Sequence, residues 1–302
     1  MGAALAGVAA TASRAYAAPG YQLGCMTSVY GKQPMARALE GVRKAGFQHI
    51  CPGRSHADLA FTEALSPDQR KQLRGMIKDH GLTSILSLGG FGGEVHKPEG
   101  FRKYLRELDL CAEFGIPVMV GGGPWYFQKF PNLPKRARDW DVEVAQFYNA
   151  MEKAVRHSES VKVTIALKPH TGITATAKTC LDVVKRITSD RFKICWDAGN
   201  VSFYEGIYPD PDLPDLAPHV RAVCIKDHKG GRAEPDFPVP GSGQIDHEAM
   251  FRTLFDAGFN GPMSVELLHG RDRGGPPETV DERAAAAYRY LSGLLQRLAP
   301  RT

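Results

Sequence analysis

The sequence contains no Cys-x-x-Cys pair, and its six cysteines (Cys25, Cys51, Cys111, Cys180, Cys195 and Cys224) are scattered. That spacing excludes a zinc knuckle and implies no disulfide framework. No uninterrupted apolar run is long enough to span a bilayer, and no dense Lys/Arg block stands behind the mild formal charge of +5. Charge therefore gives no indication of nucleic-acid binding. No Gly-x-Gly-x-x-Gly follows the first strand candidate, which weighs against a dinucleotide-binding open sheet. Extremes of composition are missing too. With 43% hydrophobic and 24% charged residues, 32 Gly and 21 Pro in 302 residues, disorder, collagen and coiled coil are excluded.

Residues 1–20 are a different material, rich in Ala and Gly and without an acidic residue. A weakly apolar run ends at Ala15-Tyr16-Ala17, a small-x-small pattern of the kind a signal peptidase cleaves. No basic segment follows Met1, so the stretch resembles a twin-arginine export signal whose paired arginines lie upstream. The expectation is a leader over 1–20, a mature chain starting near Ala18 in the periplasm or outside the cell, and one domain over 21–302.

The remainder alternates strand and helix patterns. β-branched apolar runs at 21–26, 47–52, 83–88, 117–120, 162–167, 192–196, 221–225 and 263–267 alternate with amphipathic stretches such as 34–45, 67–80, 98–114, 141–158 and 175–188. Ser66-Pro67-Asp68-Gln69 carries a capping signal, and Thr279-Val280-Asp281-Glu282 repeats it before 284–298. Gly46, Gly81, Gly115 and Gly258 each fall where a helix should stop. The proline-rich stretch 208–218 reads as a loop insertion where the sixth helix should begin. Strict alternation demands parallel strands with helical crossovers. Eight such units predict a single α/β domain, a closed (β/α)8 barrel, with a doubly wound open sheet as the runner-up.

In such barrels the chemistry gathers at the carboxyl ends of the strands. Lys168, Asp197 and Glu266 each follow the last apolar residues of a strand and would converge on the axis, with His170 and His228 above them. An ionisable group there is costly unless paired. Asn200, Lys226 and Asp227 suit polyol recognition, Arg54 follows the second strand, and Trp125 after Gly121-Gly122-Gly123-Pro124 offers a stacking face. Gly89-Gly90-Phe91-Gly92-Gly93 reads as a mobile loop over the mouth. His96, His157, His219 and His247 read as solvated surface residues.

These strand ends resemble those of the xylose-isomerase-like TIM barrels, which include sugar-phosphate isomerases/epimerases and ketose 3-epimerases. The resemblance rests on Lys168-Pro169-His170 against Glu-x-His, on Asp197–Asn200 against Asp-x-Gly-Asn, and on Cys224–Asp227 against His-x-Lys-Asp. Its strongest mark is Gly241-Ser242-Gly243 followed by Gly258-Phe259-Asn260-Gly261 and Glu266. It implies a divalent cation held by Glu, Asp, His and Glu, with two carboxylates moving a proton between neighbouring carbons. Carried over, those four positions are Lys168, Asp197, Cys224 and Glu266, so two of the four depart from the pattern.

A Lys ammonium roughly 4 Å from a divalent ion repels it by about 8 kcal/mol at an effective dielectric of 20, as much as micromolar binding supplies. The reading preferred here has no cofactor, with the Lys168 ammonium in the metal's place bridging Asp197 and Glu266. The rival is a divalent cation (Mn, Mg, Zn or Co) held by His170, Asp197, His228 and Glu266. The expected activity is isomerisation or epimerisation of a carbohydrate through an enediolate. The alternatives are a lyase or hydrolase acting on an oxidised keto-sugar through Lys168, and a non-catalytic exported sugar-binding barrel. A DNA-repair endonuclease needs a richer His/Glu cluster than His170 and His228 provide. The expected partner is a small sugar or keto-sugar, with no nucleic acid and no membrane span; a homo-oligomer is left open.

Overall fold

The computed structural model describes residues 22–90, 95–270 and 275–298. The leader over 1–20 and residues 91–93 of the glycine-rich loop lie outside the described residues. Eight parallel strands are present: β1 (Leu23–Met26), β2 (His49–Cys51), β3, β4 (Val118–Gly122), β5 (Thr164–Lys168), β6 (Phe192–Trp196), β7 (Val220–Ile225) and β8 (Met263–Val265). β3 runs in two pieces, Thr83–Ser84 and Leu86–Leu88; the first pairs with β2 and the second with β4. With β8 beside β1, the ring closes in sequence order. Every one of these pairings is parallel.

Helices α1 (Met35–Lys44), α2 (Pro67–Asp79), α3 (Pro98–Glu113), α4 (Ala137–Val161) and α5 (Ala177–Arg186) follow the first five strands in turn. α6 (Ala198–Glu205) and the short α7 (Leu213–Leu216) follow β6, while α8 (His247–Asp256) and α9 (Pro277–Leu298) follow β7 and β8. Both partners of the Ser66–Gln69 capping box are in place at the start of α2. The four helix-stop glycines have positive φ.

Three expectations change. α6 begins at once after β6, because the Asp197 carboxylate accepts from the Asn200 amide and caps it. The proline-rich stretch comes after that helix, not at its start. α9 starts at Pro277, ahead of the Thr279 signal, since the amides of Thr279 and Val280 already donate to the Pro276 carbonyl. His247 is buried against Phe251 and Tyr290 and is not a solvated residue. A small hairpin, Phe127–Lys129 with Leu133–Pro134, stands on the loop after β4.

Helix faces and outward strand residues form one large core, while Met26, Cys51, Leu86, Val118, Val120, Ala166, Cys195, Ala222 and Cys224 fill the interior of the barrel. Strand side chains alternate with a period of two, so the inward row of each strand continues into its carboxyl end. Ala166 leads to Lys168, Cys195 to Asp197, Cys224 to Lys226, and Ser264 to Glu266. Fold geometry therefore aims four ionisable side chains at one point.

Candidate active site

Lys168 is 2% exposed and its ammonium donates to both Glu266 oxygens, at 2.6 and 2.7 Å. It stands 3.5 Å from Asp197 Oδ2. Lys226 reaches the same two carboxylates, at 2.9 Å from Glu266 Oε2 and 3.1 Å from Asp197 Oδ2. The result is a buried ring of two ammoniums and two carboxylates, with no net charge. The Glu266 side chain is 14% exposed, against 2% for Lys168, 4% for Lys226 and 0% for Asp197. Glu266 is thus the member that faces the mouth.

Burial by itself would discharge both lysines, but the coulombic pull of Glu266 and Asp197 outweighs it and holds them above the ordinary lysine range. Burial would raise Glu266 as well. Lys168 and Lys226 reverse that and hold its carboxyl below the usual range. In Asp197, burial prevails and pushes the carboxyl up, opposed by Lys226 and then Lys168. Burial, followed by the Lys168 and Lys226 ammoniums, pushes His170 down to about 3, so its imidazole is neutral at neutral pH.

The remaining predicted residues divide into two groups. Asn200 and Lys226 join the ring: Lys226 donates to Asn200 Oδ1 at 2.8 Å. His170 lies beside the ring, its Nδ1 3.2 Å from the Lys168 carbonyl oxygen and its face against Tyr204. Trp125 packs edge-on to Tyr204, and Phe237 lies below the Lys226 ammonium at 5.7 Å, so aromatic rings wall the mouth. His228, Asp227 and Arg54 are brought elsewhere. His228 Nδ1 contacts the Ser202 hydroxyl at 2.8 Å and Nε2 the Glu234 carbonyl at 2.8 Å. The Asp227 carboxylate, fully buried, accepts from the amides of His228, Gly241, Gly243 and Ile245. A Cβ at Gly243 would lie 2.2 Å from Asp227 Oδ1, which accounts for the second glycine of the Gly-x-Gly pattern. Arg54 is paired with Glu107 at 2.7 Å and Glu63 at 3.5 Å.

Sequence pattern alone suggests sugar recognition for Lys226, whereas the structure makes it a member of the ring. Its place in the ring is signalled by parity with Cys224, two residues earlier on the inward face of β7.

Asp197, Cys224 and Glu266 place donor atoms within 4.8 Å of one another, three of the four positions at which the family pattern holds a metal. The chemistry of this set does not fit a divalent cation. Two ammoniums engage the carboxylate oxygens that would ligate it. Burial, and then the contact with Cys195 at 3.5 Å, push the Cys224 thiol up, away from the thiolate a metal requires. Among the described residues, His170 and His228 do not complete the set.

Residues 39–291 match the xylose isomerase-like TIM barrel family. The chain belongs to that family. It is 22% identical over 213 residues to the L-ribulose-5-phosphate 3-epimerase UlaE of Escherichia coli, covering 70% of this chain and 68% of that protein. Its fold is similar to D-psicose 3-epimerase from Clostridium cellulolyticum H10, solved with D-tagatose (TM-score 0.68, 17% identity, 91% of this chain and 99% of that one). It is also similar to a xylose isomerase-like TIM barrel protein from Mycobacterium smegmatis in complex with magnesium (TM-score 0.67, 16% identity, 90% and 99%). In this family member, lysines stand against the carboxylates of that strand-end site.

Proposed function

We propose that this protein is a carbohydrate isomerase or epimerase in which the paired ammoniums of Lys168 and Lys226 stabilise an enediolate. The observation that carries the reading is that both ammoniums converge on Glu266, at 2.6 to 2.9 Å, at the carboxyl ends of the strands. A sugar carbonyl and its neighbouring hydroxyl enter from the mouth and take over the two ammoniums. Glu266, relieved of them, returns toward its ordinary basicity and accepts the proton from the carbon beside the carbonyl. The C–H electron pair forms the new C=C bond while the carbonyl π electrons move to oxygen, where the ammoniums hold the charge. Return of the proton from Glu266 to the former carbonyl carbon, with the neighbouring hydroxyl proton passing to the former carbonyl oxygen, gives an isomer. Protonation of the enediolate on its opposite face by water from the mouth, with the Glu266 proton released to solvent, gives an epimer.

The relatives support a sugar substrate, and the aromatic wall of Trp125, Tyr204 and Phe237 suits the apolar face of a sugar ring. A Schiff-base lyase acting through Lys168 needs a neutral amine, whereas two carboxylates hold this one charged. The alanine-rich leader supports export to the periplasm or beyond; sequencing the mature protein from its native host should start near Ala18. The test of the chemistry is solvent deuterium exchange, followed by NMR, into a panel of ketoses and keto-sugars. Exchange that survives chelator and disappears in Lys168→Met and Lys226→Met is the expected result. Exchange that needs added manganese, or a panel that stays inert, would reject it.

A further inference from the structure

The turn after β6 carries an arrangement that the reaction above does not explain. Asn200 has both ends of its amide engaged: Nδ2 donates to the Pro169 carbonyl at 2.6 Å, which leaves Oδ1 to accept from the Lys226 ammonium at 2.8 Å. Pro169 has a fixed place directly after β5, so the amide cannot flip without putting two oxygens together. Asn200 is 3% exposed, and its own backbone amide is tied to Asp197 Oδ1 at 2.9 Å. Just before it, a Cβ at Gly199 would lie 2.3 Å from Cγ of Lys226 and 3.0 Å from Cδ. The Lys226 stem therefore runs across the bare backbone of Gly199 and ends on the Asn200 amide.

We propose that the Asp197–Ala198–Gly199–Asn200 turn is a cradle for Lys226, and that Asn200 is a positioning residue that holds this second ammonium against Asp197 and Glu266. Each member has a separate task. Asp197 supplies a carboxylate to the ring and caps α6, Gly199 leaves room for the aliphatic stem, and Asn200 orients the ammonium. Asn200 thereby acts on the substrate only through Lys226 and is not a sugar ligand. The catalytic part of this assignment rests on the proposed function; the packing part does not.

Thermodynamic cycles in the full chain, read by urea unfolding, test it. Asn200→Ala and Lys226→Ala should fail to act independently, with a coupling of about tenfold in the unfolding equilibrium constant. Gly199→Ala should destabilise the wild type and cost much less in the Lys226→Ala background, where the closest atom left to its methyl is the backbone oxygen of residue 226, at 3.2 Å. That second cycle decides the matter if Asn200→Ala does not fold. With a turned-over substrate, Asn200→Ala should lower kcat by about a hundredfold with little change in KM. Asn200→Asp keeps one oxygen toward Lys226 but sets the other against the Pro169 carbonyl, so it should recover little of that loss. Independent effects in both cycles would overturn the cradle even if the enzyme is an epimerase. Coupled cycles in a protein inert toward every sugar would retain the cradle and reject the reaction.

Discussion

On the β5–β8 side of the barrel mouth, two ammoniums face two carboxylates, and every one of those charges lies at the inward-facing end of a strand. On the β2–β3 side, Glu107, a buried residue of α3, divides its carboxylate between the Arg54 guanidinium at 2.7 Å and the backbone amide of Gly90 at 2.6 Å. Glu63 adds a longer contact to Arg54. Both networks are ion pairs at the same rim, the second half-buried because the Arg54 side chain is 29% exposed, and they have different capacities. The Glu107 carboxylate is committed to the backbone N–H of Gly90, just after β3. Among the described residues, the Glu266 carboxylate is held by the side-chain cations Lys168 and Lys226, which a substrate oxygen can take over.

The largest contrast comes from removing one charge. Lys168→Ala leaves Asp197 and Glu266 sharing Lys226 alone and should cost about 3–5 kcal/mol in urea unfolding. Adding Glu266→Gln to Lys168→Met should return much of the corresponding loss, since removing both partners of a buried pair is far less costly than removing one. A double variant no more stable than Lys168→Met would break the idea of a coupled ring. The family's metal set gives the next test. Lys168→Glu with Cys224→His restores the four ligand types, but Lys226 still lies 2.9 and 3.1 Å from the two carboxylates. Manganese affinity, measured by titration and elemental analysis, should therefore stay poor until Lys226→Gln is added, and then rise at least about a hundredfold. Equal affinity with and without Lys226 would show that its cation does not control the site.

On the other side of the mouth, Glu107→Gln should cost about 1–3 kcal/mol and leave kcat within a few-fold of the wild type. Burial pushes the Glu107 carboxyl up, against the pull of Arg54. The folded state therefore holds this proton more tightly than the unfolded chain does. Its contribution to stability is greatest below the ordinary carboxylate range and falls as pH rises through the raised value. The Gln variant should lack that decline in a pH series of unfolding curves. The smallest effect is expected at Asp281, a partly exposed residue of α9 that pairs with Arg37 of α1. Burial tends to raise its carboxyl, but hydrogen bonds from Arg37 and Tyr30 hold it below its usual range. This stabilisation is present above the ordinary Asp pKa and is lost as pH falls through the lowered one. Asp281→Asn should cost about 1 kcal/mol or less at neutral pH, with the difference from wild type shrinking in acid.

Much of the barrel was legible because its signals are local. The strand at 192–196 was bounded correctly from its apolar run, and the Ser66–Gln69 box marked the start of α2 to the residue. What escaped was decided across the chain. The sixth helix was expected near the proline-rich stretch, but its real start depends on a carboxylate that also belongs to the ionic ring. His247 sits in polar sequence surroundings and is buried because α9 brings Tyr290 over it. Asp227 looked like a sugar ligand until the loop at 241–245 wrapped its amides around the carboxylate.

By itself the sequence determined the alternation of strand and helix, the single barrel, and the convergence of Lys168, Asp197 and Glu266, because period-two and period-3.6 patterning are properties of neighbouring residues. Only the tertiary structure decided which charges meet. Lys226 lies 58 positions after Lys168 in the chain, yet both ammoniums rest on one Glu266 oxygen. Parity shows that Lys226 can point inward. How far it reaches, and whether it ends on a sugar or on a carboxylate, depends on the closure of β7 against β6 and β8 and on the Asn200 amide that stops it.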